Sequence, residues 1–186
     1  MTGYELTRFF ESSASWVWSA PQSQIYPLLR RLESDGLIEG EDQLRGQRMR
    51  RTVYSLTAAG AEDLRTWIAA AREPAGPRDP FLVQALFFDL IDAREADAVL
   101  DAYIESCRAQ RERWASHRER LRARDTPLLI ERLRRRPPAD HARIAAIKAH
   151  VFDGLVREAE LRAEWAEEFR AIVGGGGAGG ASRPAN

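Results

Sequence analysis

The sequence predicts a mainly α-helical protein with one small β-hairpin, arranged as two domains. Three observations predict this. Apolar residues recur at steps of three and four over most of the chain. The segment that alternates instead, ending in Arg51 to Leu56, follows a glycine turn at Gly46. Pro74-Ala75-Gly76-Pro77 separates a mixed N-terminal region from a long helical one. The expected organisation is therefore a first domain over 1–73, a linker over 74–80, a helical domain over 81–173 and a tail over 174–186. The tail is glycine-rich and has no apolar residue larger than alanine, so it has nothing to offset its ordering entropy and is expected to be disordered.

In chain order, Thr2 is placed to cap a short helix running to Phe10, with Tyr4, Leu6, Phe9 and Phe10 as its apolar positions, and Ser12 to Ser15 break it. Pro21 suits a first helical turn and opens a second helix to Ser34, with Ile25, Leu28, Leu29 and Leu32 on one face. Gly36 suits the left-handed residue that closes such a helix. Leu37-Ile38 opens one strand, and Arg51 to Leu56 alternates as a second. Thr57 stands in N-cap position for a helix from Ala58 to about Arg72, with Leu64, Trp67 and Ile68 facing inward. Pro77 and Pro80 discourage another helix start before Phe81.

In the helical region, Ala96, Val99, Leu100, Tyr103, Cys107, Gln110, Trp114 and Leu121 form one stripe. Ile144, Ile147, Val151, Phe152, Leu155, Ala159, Trp165, Phe169 and Ile172 form another. Two or three helices have little interior of their own to share, so stripes this long predict burial against a second chain.

Composition narrows the function. The 186 residues, 44% hydrophobic and 30% charged, fit an ordinary globular protein. The longest apolar run, Phe81 to Phe88, is far shorter than the roughly 20 residues a bilayer crossing needs, and nothing at the N-terminus reads as a signal peptide. Neither a membrane partner nor secretion is expected. The single cysteine, Cys107, allows no internal disulfide and points to the cytoplasm; it reads as a small buried helix residue rather than a nucleophile. His117, His141 and His150 lack metal-ligand spacing, His117 and His141 reading as solvated, and no phosphate loop or nucleophile motif is present. No enzyme activity, metal or cofactor is expected.

The net charge of zero argues against a uniformly basic nucleic-acid binder, yet it conceals a local asymmetry. Glu33 to Asp42 holds five acids and no base, whereas Arg45 to Arg51 holds four arginines and no acid. The order helix, turn, helix, hairpin, helix is that of a winged helix-turn-helix, and its polar faces point to double-stranded DNA. The second helix presents Gln22, Ser23, Gln24, Tyr26 and Arg30. Glutamine and arginine there suit adenine and guanine edges in the major groove, and Ser23 and Tyr26 suit phosphate or a thymine methyl. Arg45, Arg48, Arg50 and Arg51 at the hairpin tip suit phosphates or a narrow minor groove.

The run Ser23-Gln24-Ile25-Tyr26-Pro27-Leu28-Leu29-Arg30-Arg31-Leu32-Glu33, then Asp35-Gly36-Leu37-Ile38, then Arg51 to Gly60, resembles the PadR family of bacterial transcriptional regulators. Gly3-Tyr4-Glu5-Leu6 matches that family's second helix, and Phe81 to Leu121 resembles the virulence-activator-like C-terminal helical domain of its longer members. Pro27 makes the match specific, because a proline inside a helix costs about 3 kcal/mol. The resemblance implies a C-terminal antiparallel helical dimerisation domain, a homodimer on a palindromic operator, and repression released by a small molecule. Members normally carry an apolar helix before the Gly-Tyr segment, so this chain is expected to lack it, whether by a misassigned start or by truncation before Met1. That leaves apolar surface around Leu6, Phe9 and Ile25. Trp16 and Trp18 either line an effector pocket or plug the gap between helices, while Tyr103 and Trp114 are candidates for an aromatic-lined effector cavity. The alternative function is a protein-interaction module that uses the C-terminal helices and carries a vestigial winged helix.

Overall fold

The computed structural model describes residues 1–12, 22–45, 49–74, 76 and 79–175, with residues 9–12, 22, 44, 45, 49 and 50 described by their backbone alone. It divides into two compact units, Met1–Gly76 and Pro77–Asn186.

In the first unit, α1 (Gly3–Ser12) is followed by α2 (Gln22–Ser34), β1 (Ile38–Arg45), β2 (Met49–Leu56) and α3 (Ala58–Ala69). Thr2 and Glu5 form a reciprocal cap at the start of α1: the Glu5 N–H donates to Thr2 Oγ1 at 3.1 Å and the Thr2 N–H to Glu5 Oε2 at 2.9 Å. This bond from the Thr2 N–H is the main reason the Glu5 carboxyl sits below its usual range. At the other end of α2, Gly36 takes φ of 69°. The Leu37 N–H reaches the Leu32 carbonyl at 2.9 Å and the Gly36 N–H the Glu33 carbonyl at 3.0 Å, a Schellman closure. The strands pair antiparallel from Ile38 with Leu56 to Arg45 with Met49. Thr57 caps α3, accepting from the Gly60 N–H at 3.0 Å.

The core of this unit is thin: Ile25 and Leu29, each 6% exposed, with Thr7 beneath them. Ile25 is thus buried by α1 and α2 packing on each other, rather than left open. Three other expectations are corrected. Leu28 is exposed because it lies about 100° round the helix from Leu29. Leu64, Trp67 and Ile68 face solvent, since α3 meets the rest of the unit chiefly at its first turn, where Gly60 is its buried residue. The first helix runs two residues further than expected and α3 stops three short, at Ala69.

The second unit holds α4 (Pro80–Ala85), a 3-10 turn (Phe88–Leu90), α5 (Ala93–Arg122), α6 (Pro127–Arg134) and α7 (Pro138–Gly175). Pro80 begins α4 rather than delaying it, because the first helical position needs no N–H and Asp79 supplies the cap. The helices α5 and α7 run antiparallel, joined across their length by ion pairs Arg111–Glu160, Arg118–Asp153 and Arg170–Asp97. Their seam differs from the expected stripe. On α7 it follows Ala145, Ala149, Phe152, Val156, Ala159, Ala163 and Ala166, a strict alternation of four and three. Small residues let the two backbones approach, while Ile147, Val151, Leu161 and Ile172 remain more than half exposed on another face. His117, expected in solvent, is half-buried with its ring 4.6 Å from that of Phe152, and burial lowers its pKa. His141 is likewise half-buried, its ring nitrogen 3.0 Å from the Arg136 carbonyl.

Candidate nucleic-acid interface

The face of α2 opposite Ile25 and Leu29 is polar and open: Ser23, Gln24, Tyr26, Pro27, Arg30 and Arg31 are all exposed. Arg31, which the sequence reading left out, belongs to this face; its guanidinium also pairs with Asp35 one turn on, at 3.7 Å. Tyr26 is set by a close approach. A Cβ on Gly3 would stand 2.7 Å from the Tyr26 Cε1, so glycine is what lets the ring rest on the first turn of α1. The helix is also tied to the hairpin, through the Gly40 N–H donating to Glu33 Oε1 at 3.1 Å.

Along the hairpin, charge is separated by position. Glu39, Glu41 and Asp42 are exposed along β1 from its base to its middle, and Asp42 accepts from the Thr52 hydroxyl at 2.8 Å. The register places Arg45 at the last pair of the ladder, opposite Met49, and Arg50 one pair before it, opposite Leu44. Arg51 stands opposite Gln43 and is half-buried, its Nη2 donating to Gln43 Oε1 at 3.2 Å, so part of its guanidinium is engaged within the hairpin. Of the other residues singled out from the sequence, Arg48, Trp16 and Trp18 lie outside the described residues. The side chains of Gln22, Arg45 and Arg50 do too.

A helix with one polar face, tied to a two-stranded hairpin with exposed acids along its first strand, matches a known description. Residues 1–66 match the model of the Transcriptional regulator PadR-like family. Over those residues the chain is similar to the PadR-like family. It is 27% identical over 129 residues to the Negative transcriptional regulator PadR of Bacillus subtilis, covering 69% of this chain and 71% of that protein. A "Probable transcriptional regulator" of Mycobacterium tuberculosis is 29% identical over 174 residues, covering 90% and 87%. The fold is that of PadR from Bacillus subtilis. Its crystal structure with operator DNA aligns at a TM-score of 0.72 and 22% identity over 93% of this chain and 89% of that one. Its structure with p-coumaric acid aligns at 0.69 and 23%, over 94% and 90%.

Of the four expected effector residues only Tyr103 and Trp114 fall among the described residues, and the chain does not bring these two together. Tyr103 and Trp114 are 11 positions apart on α5, about 16 Å along the axis. Tyr103 stacks on Phe81 at 3.6 Å and donates to Asp79 Oδ2 at 3.3 Å. Arg162 Nη1 meets the same oxygen at 2.8 Å, so the capping carboxylate of α4 is clamped by both long helices. Sequence reasoning missed Asp79 and Arg162, although an aspartate before proline is the pattern of a capped helix start. Around them Phe81, Phe88, Tyr103, Trp165 and Phe169 form a ring cluster. Cys107 is buried one turn from Tyr103, and burial pushes its thiol up, away from the thiolate a nucleophile needs. Among the described residues no cluster of metal ligands occurs, and no helix is long and apolar enough to cross a membrane.

Proposed function

We propose that this chain is a sequence-specific, cytoplasmic DNA-binding repressor rather than an enzyme, acting as a homodimer on a palindromic operator. The observation that carries it is the charge separation on the hairpin next to the polar face of α2. Acids at the base repel the phosphate backbone and confine contact to the arginine tip, while α2 offers Gln24, Arg30 and Arg31 to base edges and Ser23 and Tyr26 to phosphates. The operator complex of Bacillus subtilis PadR supports this use of the fold.

The dimer reading rests on the second face of α7. Ile147, Val151, Leu161, Trp165 and Ile172 fall on their own heptad track, offset from the alanine seam and exposed, and Leu82, Val83, Leu86, Phe87 and Leu90 add to the apolar surface of the unit. The antiparallel α5–α7 pair and this surface favour a dimerisation domain over the interaction-module alternative, because a second copy would cover it. A small aromatic or hydrophobic effector has a place to enter: a groove of about 560 Å³ between α4 and α7, lined by Leu82, Val83, Leu86, Trp165 and Phe169, with Asp79 at one end. The p-coumaric acid complex of Bacillus subtilis PadR supports an effector of that class.

The test is a gel-shift titration on the DNA upstream of the protein's own gene, repeated over a salt series. Specific binding that weakens steeply with salt is expected. No shift at low salt would overturn the proposal.

A further inference from the structure

The proline in the middle of α2 has no use within the domain. Pro27 is exposed, and at 100° per residue it lies about 180° round the helix from the direction bisecting Ile25 and Leu29, the two buried positions. It touches no core that a proline ring would fill better than another residue. In that setting alanine would be the better helix former, by about 3 kcal/mol. The penalty falls at the centre of the face that α2 turns outward.

Chemistry at that point is specific. A proline nitrogen carries no hydrogen, so the carbonyl of Ser23, one turn earlier on the same row, is denied its i+4 donor, and the ring presses on that carbonyl. Ser23 is itself exposed. Carbonyls on the solvent side of a helix tilt outward, and one without its helical donor is the freest to do so. Every polar side chain that α2 offers deep in this face, Gln24 excepted, is a donor or a hydroxyl: Arg30 and Arg31 are donors only. The Ser23 carbonyl is a pure acceptor beside them.

We infer that Pro27 frees the Ser23 carbonyl to act as a backbone base-reading group, accepting a hydrogen bond from an exocyclic amino group, cytosine N4 or adenine N6, in the major groove. Guanine and thymine present only acceptors at the equivalent groove positions and are rejected there. The inference rests on the DNA-binding reading and adds a determinant that depends on Pro27, a residue whose side chain has no polar atom.

The full chain is used to select duplexes from a randomised pool, and the selected duplex becomes the probe. Pro27→Ala restores the N–H that recaptures the Ser23 carbonyl. It is expected to melt at a higher temperature, bind unselected duplex like the wild type, and lose about tenfold or more in affinity for the selected one. Removing one exocyclic amino group from that duplex, with purine in place of adenine or 2-pyrimidinone in place of cytosine, weakens the wild type at one position per half-site and leaves Pro27→Ala unchanged there. Equal affinity of the two proteins for the selected duplex overturns the inference, as does a loss that is the same on unselected DNA, or a lower melting temperature for Pro27→Ala. Failure of the wild type to select any sequence instead sinks the DNA-binding reading beneath it.

Discussion

Individual residues carry constraints that their burial alone does not announce. Gly60 is one: a Cβ there would stand 1.9 Å from the Leu37 carbonyl oxygen, a backbone atom that cannot swing aside. Gly60→Ala is therefore predicted to destabilise the first unit by about 1–3 kcal/mol or more through overpacking at the joint of hairpin and α3, read as a lower urea midpoint. Gly36, whose φ is positive but whose surroundings are open, makes the opposite case: it is held by backbone conformation, not by space. Tyr103 is constrained electrically. Burial first, then Cys107 and Asp79 beside it, push its phenol from 10.0 up to about 12. The folded chain prefers the neutral phenol, so this group's contribution to stability is whole below about pH 10 and is lost as pH rises through about 12. An ultraviolet absorbance titration should show a phenolate step near pH 12 that Tyr103→Phe removes; a chain whose tyrosines all ionise well below that would contradict the burial of the Tyr103 phenol.

At the scale of elements, much of the fold is legible in the sequence because it is written in local chemistry. The Thr2 and Thr57 caps and the Gly36 closure each depend on a few adjacent residues and stand where those residues predict, and the two expected strands pair, while Gly46 itself lies outside the described residues. What the sequence obscures is which of two apolar tracks on one helix is used. On α7 the larger residues, Ile147, Val151 and Ile172, dominate any periodicity count, yet the seam with α5 runs through alanines, since close helix approach selects for small side chains. The same ambiguity placed Leu64, Trp67 and Ile68 inward on α3. Of the candidate interface, the α2 face was legible from its polar residues, whereas the partial engagement of Arg51 with Gln43 and the contribution of Arg31 depend on cross-strand register and helix phase. The division between elements predicts distinct phenotypes. Arg48→Ala with Arg50→Ala should weaken binding to all duplexes alike and flatten the salt dependence, the outcome expected of arginines that meet phosphates. Arg30→Ala should relax base preference at a cost of about 1–3 kcal/mol on the selected site only. Indistinguishable effects in parallel titrations would refute the division.

For the whole molecule, the proposed function divides the work between the two units: it assigns DNA reading to the first, whose core is thin, and pairing to the second, which has two long antiparallel helices and an exposed heptad track. Leu161→Glu with Ile172→Glu should halve the mass in equilibrium sedimentation while leaving helical circular dichroism intact, because the alanine seam lies on another face. A wild type that sediments as a monomer would remove the pairing from the account. A paired molecule presents two copies of α2, and a twofold arrangement requires them to meet two half-sites separated by about one helical turn or a multiple of it. The most direct test is methylation interference on the selected duplex, because a methyl on guanine N7 projects into the major groove where α2 is placed. The prediction is two symmetric clusters of N7 positions, on the same side of the duplex, whose methylation blocks binding; binding indifferent to N7 methylation anywhere in the site would contradict the placement of α2 in the groove.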